Sequence, residues 1–265
     1  MWLHRKKSCS SAIRQGLQSY GHYARSREVG RIGLANRRLD LSQPNAAQTV
    51  AELCSPEASV LYSIPPIGAE DPNPALLAAL RSARRLVYIS TTSVYGTYKT
   101  VGHSTPAAPQ NDRERRRVTT EDRLMELANT IVLRPAAIYG PYRGIHSTLR
   151  RGVTSLTCGD NYVSRIHVDD LAAHCEAALL TNLRGRWPVA DDEPCTSREI
   201  VEFCSRLLDV RMPGEDESGD LARRGKSDRR VDGSEIRRLL GLTLRYPTYR
   251  QGIPSSIDAE ERERS

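Results

Sequence analysis

The sequence has no uninterrupted apolar run approaching the ~18 residues that a membrane-spanning helix requires, and apolar residues make up only 38% of it. A soluble protein with no membrane partner is expected. No apolar run follows the basic residues of the opening MWLHRKKSCSSAIRQ, so it does not read as a secretory signal and a cytoplasmic location is the expectation. The six cysteines, Cys9, Cys54, Cys158, Cys175, Cys195 and Cys204, include no Cys-x-x-Cys pair. Neither a disulfide framework nor a structural zinc site is indicated, and no Cys/His spacing supports another metal site. Internal repeats and low-complexity tracts are also missing.

Positive charge is in excess, at a formal net +7, but it is never unbroken. The clusters at residues 113–117 (RERRR) and 223–230 (RRGKSDRR) are interrupted by acids and lack the interleaved aromatics that stack bases. Nucleic acid is therefore disfavoured as a partner. A solvated surface, or an anion site for a small phosphorylated ligand, fits these clusters better.

What is present is an alternation. Short apolar runs at residues 60–64 (VLYSI), 86–90 (LVYIS), 130–133 (TIVL) and 187–190 (WPVA) read as strands buried on both faces. Residues 74–83, 118–129 and 169–180 carry apolar side chains at helical spacing between them. Strand and helix in turn predict an α/β fold with a doubly wound parallel sheet. A later helix over 196–208 opens with T-x-x-E, a capping box of Thr196 and Glu199. A polar loop over 211–229 precedes a short helix at 234–240 that Gly241 would end. The length, 265 residues, suits one domain over 1–255 with lobe elements at about 141–165 and 187–255, followed by a charged tail at 256–265.

Four segments carry a resemblance: LVYISTTSVYG (86–96), IVLRPAAIYGP (131–141), RIHVDDLA (165–172) and VADDEP (189–194), with LGLTLRYPTYRQGI (240–253) closing the pattern. Their order and spacing resemble the NAD(P)-dependent epimerase/dehydratase family, the extended and atypical branch of the short-chain dehydrogenases/reductases, over roughly residues 20–255. The close of the chain is most similar to sugar-nucleotide epimerase-like members.

The resemblance implies a Rossmann-like fold with a small C-terminal substrate-binding lobe, NAD or NADP as cofactor, and a sugar nucleotide or similar small hydroxylated metabolite as substrate. It implies that Thr91, four residues before Tyr95, hydrogen-bonds the reacting oxygen. Cofactor contacts would come from Arg25, Arg27, Asp40, Ser63, Ile64, Pro65, Ser90, Arg134 and Pro135, the two arginines favouring NADP by pairing with a 2′-phosphate. Tyr95 and Tyr139 would shape the substrate pocket, and Arg165 would reach a substrate phosphate. His167 reads as a satisfied core histidine, and Asp169 or Asp170 as the N-cap of the helix that follows. A homodimer through long helices of the catalytic half is also implied.

The sequence departs from the family pattern in two places. Counting back from Glu121, which fits the position after the family's YxxxK, puts Arg113 in the Tyr place and Arg117 in the Lys place. A guanidinium stays protonated at any working pH, so it cannot exchange the proton that a phenol exchanges. RERRR then reads as a solvated helix start. At the other end, Ser8 to Ala12 occupies the place of the glycine loop, no glycine stands between Met1 and Gln15, and the first strand is missing as an apolar run. A catalytically inactive nucleotide- or metabolite-binding module, or a scaffold, is the competing expectation.

Overall fold

The computed structural model describes residues 2–4, 45–66, 71–153, 155–156, 159–215 and 228–264. Arg25, Arg27 and Asp40, and the expected glycine-loop segment, lie outside them. The chain divides into two compact units: residues 1–94, 109–134 and 172–187, and residues 95–108, 135–171 and 188–265.

The first unit is built on a five-stranded sheet in the order β1-β2-β3-β5-β10. Its strands are β1 (Trp2–His4), β2 (Ser59–Tyr62), β3 (Arg85–Ile89), β5 (Thr130–Pro135) and β10 (Gly185–Val189). β2 runs parallel to β3, and β3 to β5, as the alternation of elements predicts. Every residue of β2, β3 and β5 is buried, which is the pattern of strands covered on both faces. Although no apolar run stands there, Trp2–His4 forms a three-residue strand that pairs antiparallel with β2.

Helices α1 (Ala46–Leu53), α2 (Pro74–Leu80) and α3 (Asp112–Met125) belong to this unit. Val50, Leu76, Leu80 and Leu124 join Val60, Leu86 and Val132 in one apolar core. Asn73 caps α2 by accepting the Leu76 amide at 2.9 Å, with Pro74 in the first turn. α3 starts six residues earlier than the apolar spacing from 118 indicates. Asn111 accepts the Glu114 amide at 3.0 Å, so the helix begins inside the charged cluster that apolar periodicity cannot see.

The second unit is assembled from two-stranded ladders. β6 (Ala137–Tyr139) pairs parallel with β9 (Arg165–His167), and β4 (Thr100–Val101) with β13 (Arg230–Val231). β7 (Ser155–Leu156) pairs parallel with β12 (Gly214–Glu215), and β8 (Tyr162–Val163) antiparallel with β11 (Cys195–Thr196). Helix α4 (Ile145–Arg150) precedes α5 (Val168–Leu180), whose first residues lie in this unit.

Helix α6 (Ser197–Leu207) has the expected capping box, with Glu199 N–H donating to Thr196 Oγ1 at 3.1 Å and Thr196 N–H to Glu199 Oε2 at 2.7 Å. α7 (Ser234–Leu240) ends at Gly241, whose φ of 65° is left-handed. The final helix, α8 (Tyr249–Arg262), corrects the expected tail: Ser256, Ile257 and Glu260 are buried on it. Tyr139, Leu149, Ile200, Cys204, Tyr249 and Ile253 form the core of this unit.

Candidate active site

In the first unit, β3 ends at Ile89 and delivers Ser90 and Thr91 to the carboxyl edge of the sheet, where doubly wound folds place their ligands. Thr91 is half-buried, and its Oγ1 accepts the Ser93 amide at 3.2 Å as the chain turns into a 3-10 helix over Thr92–Tyr95. The hydroxyl proton is therefore not used in that bond.

Ser90 behaves differently from the cofactor contact that the resemblance implies. Its Oγ donates to Oε1 of Glu121, which is fully buried. Arg134 closes on the same carboxylate, Nε at 3.1 and 3.2 Å from its two oxygens and Nη2 at 2.5 Å from Oε2. Arg186 Nε adds a second cation at 3.4 Å. A buried carboxylate is tolerated only when its charge and lone pairs are met. Ser90 and Arg134 meet them here by binding Glu121.

Arg117, in the Lys place, is also buried, with Nη1 3.1 Å from Tyr88 Oη and 3.5 Å from the Ile89 carbonyl. The solvated helix start holds for the exposed Arg113 and Arg115 and fails for Arg117. The sequence did carry the signal: Arg117, Thr120, Glu121 and Leu124 recur at helical spacing and form the buried face of α3. Ser63 and Ile64 are half-buried immediately after β2, and Pro65 is exposed beside them. Pro135 is buried at the end of β5.

In the second unit, Tyr95 and Tyr139 are buried. Tyr139 meets His167 edge-on at 5.2 Å, and burial, then the charge of Asp191, pushes its phenol above the ordinary tyrosine range. Arg165 turns inward, its Nη1 donating to the Val163 carbonyl at 2.8 Å and meeting Cys195 Sγ at 3.0 Å.

His167 is satisfied on both nitrogens. Nδ1 accepts the Asp169 amide at 3.1 Å, so Nε2 carries the proton and donates to Ser256 Oγ, also at 3.1 Å. Ser256 passes its own proton to the Gly252 carbonyl at 2.6 Å. Neither Asp169 nor Asp170 is the N-cap of α5, since the helix starts at Val168 and both lie inside its first turn. The Asp170 carboxylate accepts the amides of Arg245 and Tyr246 at 2.7 and 3.0 Å.

Sequence reasoning quoted VADDEP as a motif but singled out neither aspartate. Asp191 is buried, with both carboxylate oxygens lacking a hydrogen-bond partner, and burial pushes its carboxyl up to about 8. Nothing in its sequence context separates it from the half-exposed Asp192, because burial is set by elements distant in the chain. Among the described residues, no three His, Cys, Asp or Glu side chains are grouped to hold a metal, and no helix is long and apolar enough to cross a membrane.

No family model matches the chain. A dTDP-glucose 4,6-dehydratase from Xanthomonas campestris pv. campestris is 26% identical over 210 residues, 69% of this chain and 60% of that protein. The structure of a conserved protein of unknown function from Silicibacter pomeroyi DSS is 31% identical, with a TM-score of 0.66 over 76% of this chain and 77% of that one. The similarities in sequence and in fold point to NAD-dependent sugar-nucleotide epimerases and dehydratases as the proteins this chain resembles. The chain spans about 60% of the length of the curated relatives it matches. MoeE5, solved with UDP-glucose and NAD, shares the fold at a TM-score of 0.73 and 19% identity, with 96% of each chain covered.

Proposed function

We infer that this chain is a member of the NAD(P)-dependent epimerase/dehydratase family that binds a nicotinamide dinucleotide and acts on a sugar nucleotide or a closely related hydroxylated metabolite. The observation that carries this reading is Thr91 at the carboxyl end of β3, half-buried, with its oxygen engaged by the Ser93 amide and its proton left for a ligand oxygen. Support also comes from the dehydratase relative and from MoeE5, whose structure contains UDP-glucose and NAD.

The residues around the sheet edge fit a dinucleotide in part. Ser63, Ile64 and Pro65 offer a neutral stretch after β2 against which a ribose would pack. Ser90 and Arg134 do not fit as contacts, because both are closed on Glu121. A bound nicotinamide would supply the hydride acceptor and donor. Thr91 would orient the substrate by donating to its oxygen. Arg117 would contribute positive charge near the strand end without moving a proton. Arg25 and Arg27 would decide between NAD and NADP, and Tyr95, Tyr139 and Arg165 would act on the substrate only by supporting the fold of the second unit. Pairing into a homodimer belongs to the same proposal and is measured by light scattering.

A second reading, a binding module without turnover, is favoured by one observation: the cation in the Lys place is spent on Tyr88. Titration with NADH and NADPH, followed by nicotinamide fluorescence and by heat, tests the first reading. Saturable binding at micromolar concentration or tighter supports it, and no binding of either at millimolar concentration sinks it. Turnover of UDP-glucose or dTDP-glucose by the NAD-loaded protein then separates an enzyme from a binding module.

A further inference from the structure

The turn after β10 is held on three sides within the second unit. Asp191 N–H donates to the Arg165 carbonyl at 2.7 Å, and Asp192 N–H to the Pro247 carbonyl at 2.9 Å. Asp192 pairs with Arg237 of α7 at 2.5 Å, and Glu193 with Arg250 of α8 at 2.9 Å. Inside this frame lies Asp191, 3% exposed, with both carboxylate oxygens shut off from solvent and without a hydrogen-bond partner.

The groups that face this carboxyl are few. Arg165 approaches from β9, but its Nη1 is committed to Val163 and Cys195. Tyr139 faces it from β6 and Cys195 from β11, both held neutral by burial, and Asp192 adds a like charge from the turn itself. Burial is the largest influence and favours the acid; the Arg165 charge and the backbone amides of Glu193 and Arg165 favour the anion and are outweighed.

We propose that Asp191 is a pH-responsive latch: its carboxyl enters the fold carrying its proton, and loss of that proton frees the turn from β9, α7 and α8. An anion at this position gains too little from the Arg165 charge and the nearby amides of Glu193 and Arg165 to offset its burial, so it must draw Arg165 from Val163 and Cys195 or pull the turn toward water. Either movement disturbs the packing beside Tyr139.

The sign of the linkage follows from the direction of the shift. The unfolded chain releases this proton near 3.8 and the folded one near 8. Between these values the folded state binds one more proton, so each pH unit of rise favours unfolding about tenfold. Above about 8 the effect levels off.

The test is chemical denaturation of the full chain and of Asp191→Asn at pH 5 to 9. The expected result is a ratio of their unfolding constants, wild type over variant, that climbs to pH 8 and then stays flat. A ratio constant across the range overturns the proposal. Should the Asn variant fail to fold, infrared difference spectra of the wild type between pH 6 and 9 decide it. Loss of a protonated-carboxyl carbonyl band on raising the pH supports the latch, and absence of any such band overturns it.

Discussion

Glu121 on α3 and Arg134 on β5 form a fully buried ion pair, with Arg134 Nη2 2.5 Å from Glu121 Oε2 and side chains 4% and 0% exposed respectively. The pair pins the helix to the sheet beside Thr91 and absorbs two residues, Ser90 and Arg134, that would otherwise be free to touch a cofactor. Removing one partner leaves the other charge buried and uncompensated. Glu121→Gln and Arg134→Met are each expected to cost about 3–5 kcal/mol of stability in urea unfolding, and the double variant less than their sum.

Gly252, in the first turn of α8, lets the helix backbone approach the Tyr139 ring so closely that any Cβ there would overlap the phenol. Gly252→Ala is expected to lower stability by roughly 1–3 kcal/mol. Combining it with Tyr139→Leu should recover part of that loss, as measured in a double-mutant cycle.

His146 is completely buried, its Nε2 3.1 Å from Glu260, whose carboxylate also accepts from Arg150 at 2.7 Å and from the Tyr142 amide at 2.6 Å. Burial lowers its pKa below the ordinary histidine value, against the pull of Glu260. The unfolded state then binds the extra proton below pH about 6.5, so this contribution to stability is lost as the pH falls through that value. His146→Gln is expected to flatten the thermal-midpoint profile between pH 7 and 5.

Thr91→Val removes a single hydroxyl and keeps its volume. If the protein turns over a sugar nucleotide, kcat should fall about a hundredfold, while NADH affinity measured by fluorescence stays within about twofold of wild type. Equal losses in both would remove Thr91 from the reacting centre.

The order of strands and helices was legible in the sequence because it depends on local periodicity. The all-apolar VLY of β2 and LVYI of β3, and the capping box at Thr196 and Glu199, say what they form without reference to anything distant. Thr91 was legible for the same reason, as a hydroxyl at the end of such a strand. The start of α3 was less so, since a helix that opens on DRERRR is set by the Asn111 cap and not by an apolar stripe.

Side-chain roles divide along the same line. By itself the sequence determined that Arg113 and Arg117 stand where the family it resembles has Tyr and Lys, and that a guanidinium cannot perform a phenol's proton exchange. Only the tertiary structure decided that Arg117 is buried against Tyr88, that Ser90 and Arg134 belong to Glu121, and that Asp191 rather than Asp192 lies sealed from water. Those outcomes depend on partners 13 to 31 residues away in the chain for the first three, and for the last on a turn held by the Arg165 carbonyl of β9 and by Pro247. Charge and hydrogen-bonding capacity are written residue by residue, but the solvent a group loses is written only by the fold.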